Sequence, residues 1–141
     1  MIRRAKKEDI KSVYKIYSDD THDGHDFEPI TYSIKDFYEY CPDKRTLLLV
    51  YEEKGAVMGF VLAYDLLKWC YLDILCVSKK FRNKGIGLKL INKIFALKPK
   101  FDSIEMCYYS DDTVMQKYLE KNNFKFNDKK TTWVSMNKKN Y

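Results

Sequence analysis

Arg82-Asn-Lys-Gly-Ile-Gly87 is the stretch with the clearest chemical meaning. Seven mostly apolar residues, Tyr71-Leu-Asp-Ile-Leu-Cys-Val77, lead through Ser78-Lys-Lys-Phe81 into it, and Leu90, Ile91, Ile94 and Phe95 then recur at helical spacing. The order is strand, basic loop, helix. The first amides of a helix lack intrahelical partners and the peptide dipoles leave partial positive charge there, so anions gather at such a start. Gly85 and Gly87 have no β-carbon, which lets a phosphate approach the backbone and lets the loop take conformations that other residues resist. Lys79, Lys80, Arg82 and Lys84 add formal positive charge. The simplest ligand is a pyrophosphate; an ordinary turn with solvated lysines is the competing reading. A dinucleotide fingerprint would need glycine where Leu90 stands, and a P-loop would need Gly-Lys-Ser/Thr, so neither is present.

Asp73 is the second residue of interest, a carboxylate in an otherwise apolar strand. Strict alternation gives it the parity of Leu75 and Val77, so all three are expected on one face. Burial there would suit a general base and attract a cation; a strand aspartate paired with a lysine is the alternative. Between the first two helices, Asp19, Asp20, Asp23, Asp26 and Glu28 make an acidic linker beginning at Ser18. His22 and His25 lie within it without a second ligand cluster, so no metal site is expected. Cys41, Cys70, Cys76 and Cys107 are far apart with no Cys-x-x-Cys pair and read as reduced, packed thiols.

Val77, Arg82-Asn-Lys-Gly-Ile-Gly87, Leu88 and Leu90-Ile91 resemble the acetyl-CoA signature of the GNAT superfamily of N-acetyltransferases, Arg/Gln-x-x-Gly-x-Gly/Ala after a strand. The resemblance implies acetyl-CoA as cofactor, with its pantetheine arm beside Leu75, Cys76 and Val77 and its pyrophosphate around Arg82, Asn83, Lys84, Gly85, Ile86, Gly87 and Leu88. Tyr71-Leu-Asp-Ile-Leu-Cys-Val77 also resembles Tyr-Leu-Glu-Asp-Leu/Phe-x-Val of the polyamine acetyltransferases, with Asp73 at their glutamate. Direct transfer to a primary amine follows, with Asp73 as base. The acidic linker would border the acceptor and favour a cationic one: a polyamine, another small amine, or a lysine or N-terminal amine.

The family's Asn-x-x-Ala-x-x-Phe/Leu-Tyr-Glu-Lys-x-Gly-Phe fits less well. Aligned on Glu120-Lys121 and Phe124, it puts Asp112 at the asparagine, Met115 at the alanine and Leu119 at the tyrosine that serves as general acid. Asp112 and Met115 are thereby placed at the cofactor. Tyr118, about a hundred degrees around the helix from Leu119, is the substitute donor or a core tyrosine; Tyr108 and Tyr109 are further donors.

The elements that must position these residues can be read in order. A strand at Ile2-Arg3-Arg4 precedes a helix with Ile10, Val13, Tyr14 and Tyr17 on one face. Ser33 and Asp36 form a capping box ahead of a short helix stopping at Pro42. Runs 46–51 and 57–64 make a hairpin around Glu52-Glu-Lys-Gly55, and the Asp73 strand follows. After the glycine helix come a strand at 103–108, a helix capped by Ser110, and terminal strands near 124–126 and 131–136. The expectation is one α/β (α+β) N-acetyltransferase domain over 1–141, a single mixed, mostly antiparallel sheet with helices on both faces.

At 141 residues with 45% hydrophobic and 16% aromatic content, the chain can bury a core and is not a disordered type. No apolar run has membrane-span length and the N-terminus lacks a signal peptide's apolar stretch, so a soluble, cytoplasmic protein without membrane contact is expected; a homodimer is left open. Two other functions compete: a CoA-binding module without chemistry, motivated by Leu119, and a nucleic-acid-binding domain, motivated by the net charge of +6. The second lacks a basic, aromatic-studded surface pattern.

Overall fold

The β-rich runs of the second quarter of the chain form a long hairpin because Lys54 and Gly55 take positive φ, 51° and 78°, as a tight two-residue turn requires. The computed structural model describes residues 1–21, 32–98, 100–107, 113–126 and 133–137. Within them lie β1 (Ile2–Arg4), α1 (Ile10–Thr21), α2 (Ile34–Tyr40), β2 (Thr46–Glu53), β3 (Ala56–Leu66), β4 (Trp69–Val77), α3 (Ile86–Leu97), β5 (Ser103–Cys107), α4 (Thr113–Lys121), β6 (Lys125–Phe126) and β7 (Trp133–Asn137). The strands form one seven-stranded sheet in the order β1-β2-β3-β4-β5-β7-β6. Only β4 and β5 pair in parallel, as the crossover through α3 dictates. The expected mixed, mostly antiparallel sheet is therefore present.

Each face of the sheet carries its own core. Leu90, Ile91, Ile94 and Phe95 of α3 recur at helical spacing and pack on Leu47, Leu49, Val61 and Ala63 of β2 and β3. On the other face Ile10, Val13 and Tyr17 of α1 and Phe37 of α2 cover Leu48, Val50, Phe60 and Leu62. Phe37 is fully buried and meets Tyr14, Tyr17, Tyr32, Tyr40 and Phe60 at ring-centroid distances of 5.3–6.4 Å. Its truncation to alanine would cost about 3–5 kcal/mol. The capping box that starts α2 is formed: the Ser33 amide donates to Asp36 Oδ2 at 2.6 Å, and the Asp36 amide donates to Ser33 Oγ at 3.4 Å.

Two expectations are corrected. Ser18 does not open a linker, because α1 continues to Thr21. The pair Lys15–Asp19 at 2.8 Å, one turn apart, supports that last turn. More consequentially, Asp73 does not share a face with Leu75 and Val77. Leu62 pairs with Ile74 but Ala63 pairs with Leu72, so Asp73 is the extra residue of a β-bulge with no partner across the ladder. The bulge inverts the alternation: Cys70 and Leu72 belong to the α3-side core, whereas Ile74 and Cys76 belong to the α1/α2-side core. Leu75 and Val77 pack on the α3 side; Asp73 turns to the other.

Candidate active site

The bulge lies where the sheet opens. β4 and β5 are in register only through Trp69–Ser103, Cys70–Ile104 and Tyr71–Glu105. Beyond Tyr71 the β5-facing edge of β4 has no strand partner among the described residues. The Ser78 amide donates to Met58 O of β3 at 2.9 Å, so by alternation the backbone groups of Cys76 also face β3 and those of Leu75 and Val77 face the opened edge. Val77 O is already taken there by Arg82 Nε at 3.0 Å.

The loop after β4 ends in a helix start without a side-chain cap. Gly85 occupies the N-cap position at φ 72°, with nothing within 4 Å of where a β-carbon would stand. The amides of Ile86, Gly87 and Leu88 are the unpaired first-turn donors of α3. Asn83 is also left-handed, φ 61°, a conformation asparagine tolerates. Left-handed residues at 83 and 85 in one short loop give the concave run of amides that suits an anion. Lys80 and Lys84 stand over the Phe81 ring at 5.8 and 5.5 Å. Arg82 turns back instead, pairing with Asp20 of α1.

Gly87 serves a different end from the one its motif position suggests. A β-carbon there would lie 2.9 Å from the Tyr118 hydroxyl. The bare α-carbon makes room for a side chain of the protein itself. Tyr118 packs on the α3-side core, and its hydroxyl is buried with no hydrogen-bond partner. Such an orphan costs about 1–3 kcal/mol. Burial pushes its pKa up to about 12, so it stays a phenol at neutral pH. Leu119 is fully buried in the same core and Met115 packs on its border. Asp112, Tyr108, Tyr109, Ser110, His22, His25, Asp23, Asp26 and Glu28 lie outside the described residues.

On the opposite face Asp73 is gripped by phenols. The Tyr32 hydroxyl donates to Asp73 Oδ2 at 2.6 Å, and Tyr64 makes a longer contact to the same oxygen at 3.4 Å. Oδ1 has no protein partner among the described residues. Tyr32 is itself positioned by its amide, which donates to the Tyr17 hydroxyl at 3.1 Å, just before the α2 cap. Burial first, then the bond to Asp73, raises the Tyr32 hydroxyl far above its ordinary range. Burial and a bond to Tyr40 raise Tyr64 likewise. No lysine pairs with Asp73 in the described structure, so the ordinary-ion-pair alternative is not what holds it.

Cys76 is no nucleophile. Its buried thiol faces α1 and donates to Asp20 Oδ2 at 3.2 Å, and burial holds its pKa well above the ordinary value. Asp20 thus joins Arg82 of the cofactor-type loop to the last turn of α1, beside a cleft of about 590 Å³ lined by both turns. Sequence reasoning missed Tyr32, Tyr64 and Tyr17 as site residues; only their type, not their spacing, could have suggested them. Among the described residues no group of three or more metal-ligating side chains occurs, and no helix is long and apolar enough to cross a membrane.

Residues 10–124 match the model of the Acetyltransferase (GNAT) family. The chain belongs to that family, whose acetyl donor is acetyl-CoA. Its fold is similar to that of the PaiA N-acetyltransferase of Thermoplasma acidophilum in complex with coenzyme A, at a TM-score of 0.83 and 17% identity over 97% of this chain and 98% of that one. It is similar also to yncA of Salmonella typhimurium, a putative acetyltransferase with its cofactor acetyl-CoA (TM-score 0.78, 16% identity, 97% and 92% coverage). A third similar structure is the ribosomal-protein-S18-alanine N-acetyltransferase of Escherichia coli (0.72, 16%, 96% and 90%). No curated protein matches the sequence. The residues present fit coenzyme A: an uncapped helix start with two left-handed loop positions suits its phosphates, and the opened edge of β4 suits its amide-bearing arm.

Proposed function

We propose that the protein acetylates a primary amine by direct attack, with Asp73 as the base and the docking point of a cationic acceptor. The observation that carries this is Oδ1 of Asp73, a carboxylate oxygen with no protein partner among the described residues, at the bulge where β4 and β5 part. Acetyl-CoA supplies the thioester. The amides of Ile86, Gly87 and Leu88 and the loop from Arg82 to Gly85 bind its phosphates, and the backbone of Leu75 and Val77 lines its arm. Cys76 contributes packing behind them, and Met115 the wall across the opening.

An alkylammonium has a pKa near ~10 and no lone pair to attack with. Asp73 Oδ1 first holds it as a counter-ion and then accepts its proton, while the Tyr32 hydrogen bond fixes the carboxylate's orientation. The Leu75 amide, free of a strand partner among the described residues, is placed to polarise a carbonyl. The Tyr118 hydroxyl, protonated and unpartnered, is the donor on the cofactor side.

Leu119, buried where the resemblance to the family motif puts tyrosine, favours a second reading, a CoA-binding module without chemistry. Release of free thiol from acetyl-CoA, measured over a panel of amines, separates the two. Turnover is expected, and Asp73→Asn is expected to lower kcat/KM by about 10²–10⁴-fold. Thermal stabilisation by CoA with no turnover on any amine establishes the second reading, and full activity of Asp73→Asn removes the residue from its role.

A further inference from the structure

We propose that Tyr17 of α1 is a positioning residue for the base: its hydroxyl accepts the Tyr32 amide and so sets the Tyr32 phenol on Asp73 Oδ2, which leaves Oδ1 for the acceptor; this rests on the reading of Asp73 as the base. Asp73 is the extra residue of the bulge and has no partner across the β3–β4 ladder, so the pairing that fixes its neighbours does not fix it. The aim of its carboxylate depends on side-chain bonds. Of the two phenols on Oδ2, Tyr32 at 2.6 Å makes the short, charge-assisted bond and Tyr64 at 3.4 Å only a long one. Tyr32 therefore sets the carboxylate.

What sets Tyr32 lies partly in α1. The residue stands just ahead of the α2 cap, in neither a helix nor a strand, so no regular backbone ladder places it. Two successive amides do so instead. The Ser33 amide donates to Asp36 Oδ2 at 2.6 Å, within the α2 cap, and the Tyr32 amide donates to the Tyr17 hydroxyl at 3.1 Å. The chain is held to both helices where the phenol leaves it. Around that phenol the rings of Tyr17, Phe37 and Tyr40 stand at centroid distances of 5.8–6.1 Å.

Packing does not ask for an oxygen at position 17. Tyr17 is 5% exposed and its ring lies edge-on to Phe37 at 5.3 Å, a contact that phenylalanine would keep. A hydroxyl carried into such a core costs free energy unless it is bonded. Burial also raises its pKa, so it is a neutral phenol at neutral pH and its oxygen accepts. The consequence is for proton removal more than for attraction. A carboxylate attracts a cation from many angles, whereas proton transfer needs the oxygen within hydrogen-bond reach along the N–H direction.

Two measurements on Tyr17→Phe, Tyr32→Phe, the double variant and Asp73→Asn test this. In proton NMR the short bond to Asp73 is expected to give the wild type a low-field hydroxyl resonance, which Tyr32→Phe deletes and Tyr17→Phe moves upfield or broadens away. The second measurement is the ratio of kcat for an alkylamine turned over in the panel to kcat for its trifluoro analogue, such as ethylamine and trifluoroethylamine. The analogue is largely unprotonated at neutral pH and needs a base less, and a ratio within one protein is blind to a loss of folded fraction. It is expected to fall about threefold in Tyr17→Phe and about tenfold in Tyr32→Phe, with no further fall in the double variant. A resonance missing from the wild type or unmoved in Tyr17→Phe overturns the proposal. So does a ratio that Asp73→Asn lowers and Tyr17→Phe does not, or a further fall in the double variant; Asp73 then keeps its role. A ratio that Asp73→Asn leaves unmoved, or no turnover of any amine, removes the reading of Asp73 as the base and this proposal with it.

Discussion

The two faces of β4 offer ligands different kinds of group. On the α3 side and along the opened edge the offer is backbone: first-turn amides of α3, left-handed Asn83 and Gly85, and the main chain of Leu75 and Val77. On the α2 side it is side chains: Asp73 with Tyr32, Tyr64 and Tyr71. Backbone groups recognise what all members of a family share, since almost any sequence that folds this way presents them. Side chains recognise what differs. The single bulged residue, Asp73, assigns one stretch of strand to both tasks by rotating its successor residues to the other face.

That division can be broken by substitution. Among polar substitutions the largest stability effect is expected far from both faces. Asp9, 8% exposed, is bound by the Arg3 guanidinium at 2.6 and 3.0 Å, and Arg3 in turn reaches Glu52. Asp9→Asn should lower stability by about 1.5–3 kcal/mol by denaturant titration while leaving coenzyme affinity and amine turnover alone. The Arg3 hydrogen bond holds the Asp9 carboxyl below its ordinary pKa. Because the folded value is the lower one, this stability is fully present above the unfolded value near ~3.9. It is lost as pH falls through the folded value, so variant and wild type should converge in strong acid.

Gly85→Ala comes next. Its φ of 72° costs a non-glycine residue about 1–2 kcal/mol, with open space around it. The strain should appear as a tenfold or so loss of CoA affinity in calorimetry, with the KM for the amine unmoved. Tyr32→Phe should do the reverse: it removes the donor to Asp73, and kcat/KM for the amine should fall about tenfold at constant CoA affinity. Smallest is the coupling between Gly87 and Tyr118. Gly87→Ala forces the Tyr118 hydroxyl aside, and adding Tyr118→Phe should relieve part of the defect, a coupling of about 0.5–1 kcal/mol in a double-mutant cycle. A Gly87→Ala defect that Tyr118→Phe leaves untouched would mean that the bare α-carbon serves the ligand after all.

The loop and helix start proposed to hold the cofactor were largely legible in the sequence, because their determinants are local. Two glycines, a basic loop and a helical repeat lie within about twenty residues, and each acts through the backbone beside it. The acceptor half was not. Asp73 stood out by its charge, but its face was misjudged, and the reason is physical. The buried residues of β4 change sides at the bulge, so its exposure alternates without a break from Trp69 to Val77 straight through it. The inversion is visible only in the pairing with β3. Tyr32 and Tyr64 reach Asp73 from 41 and 9 residues away, a convergence that depends on the sheet and on α2. At Gly87 the motif was visible but not the tyrosine 31 residues on that occupies the space it leaves.

The most direct test of the division is a calorimetric titration of acetyl-CoA into the wild type and into Asp73→Asn. On the proposed division, with the cofactor held by backbone on one side and Asp73 acting on the other, both proteins should saturate with dissociation constants within about twofold of each other. A wild type that registers no binding at millimolar ligand, or an Asp73→Asn protein that loses its affinity along with its turnover, would contradict the account.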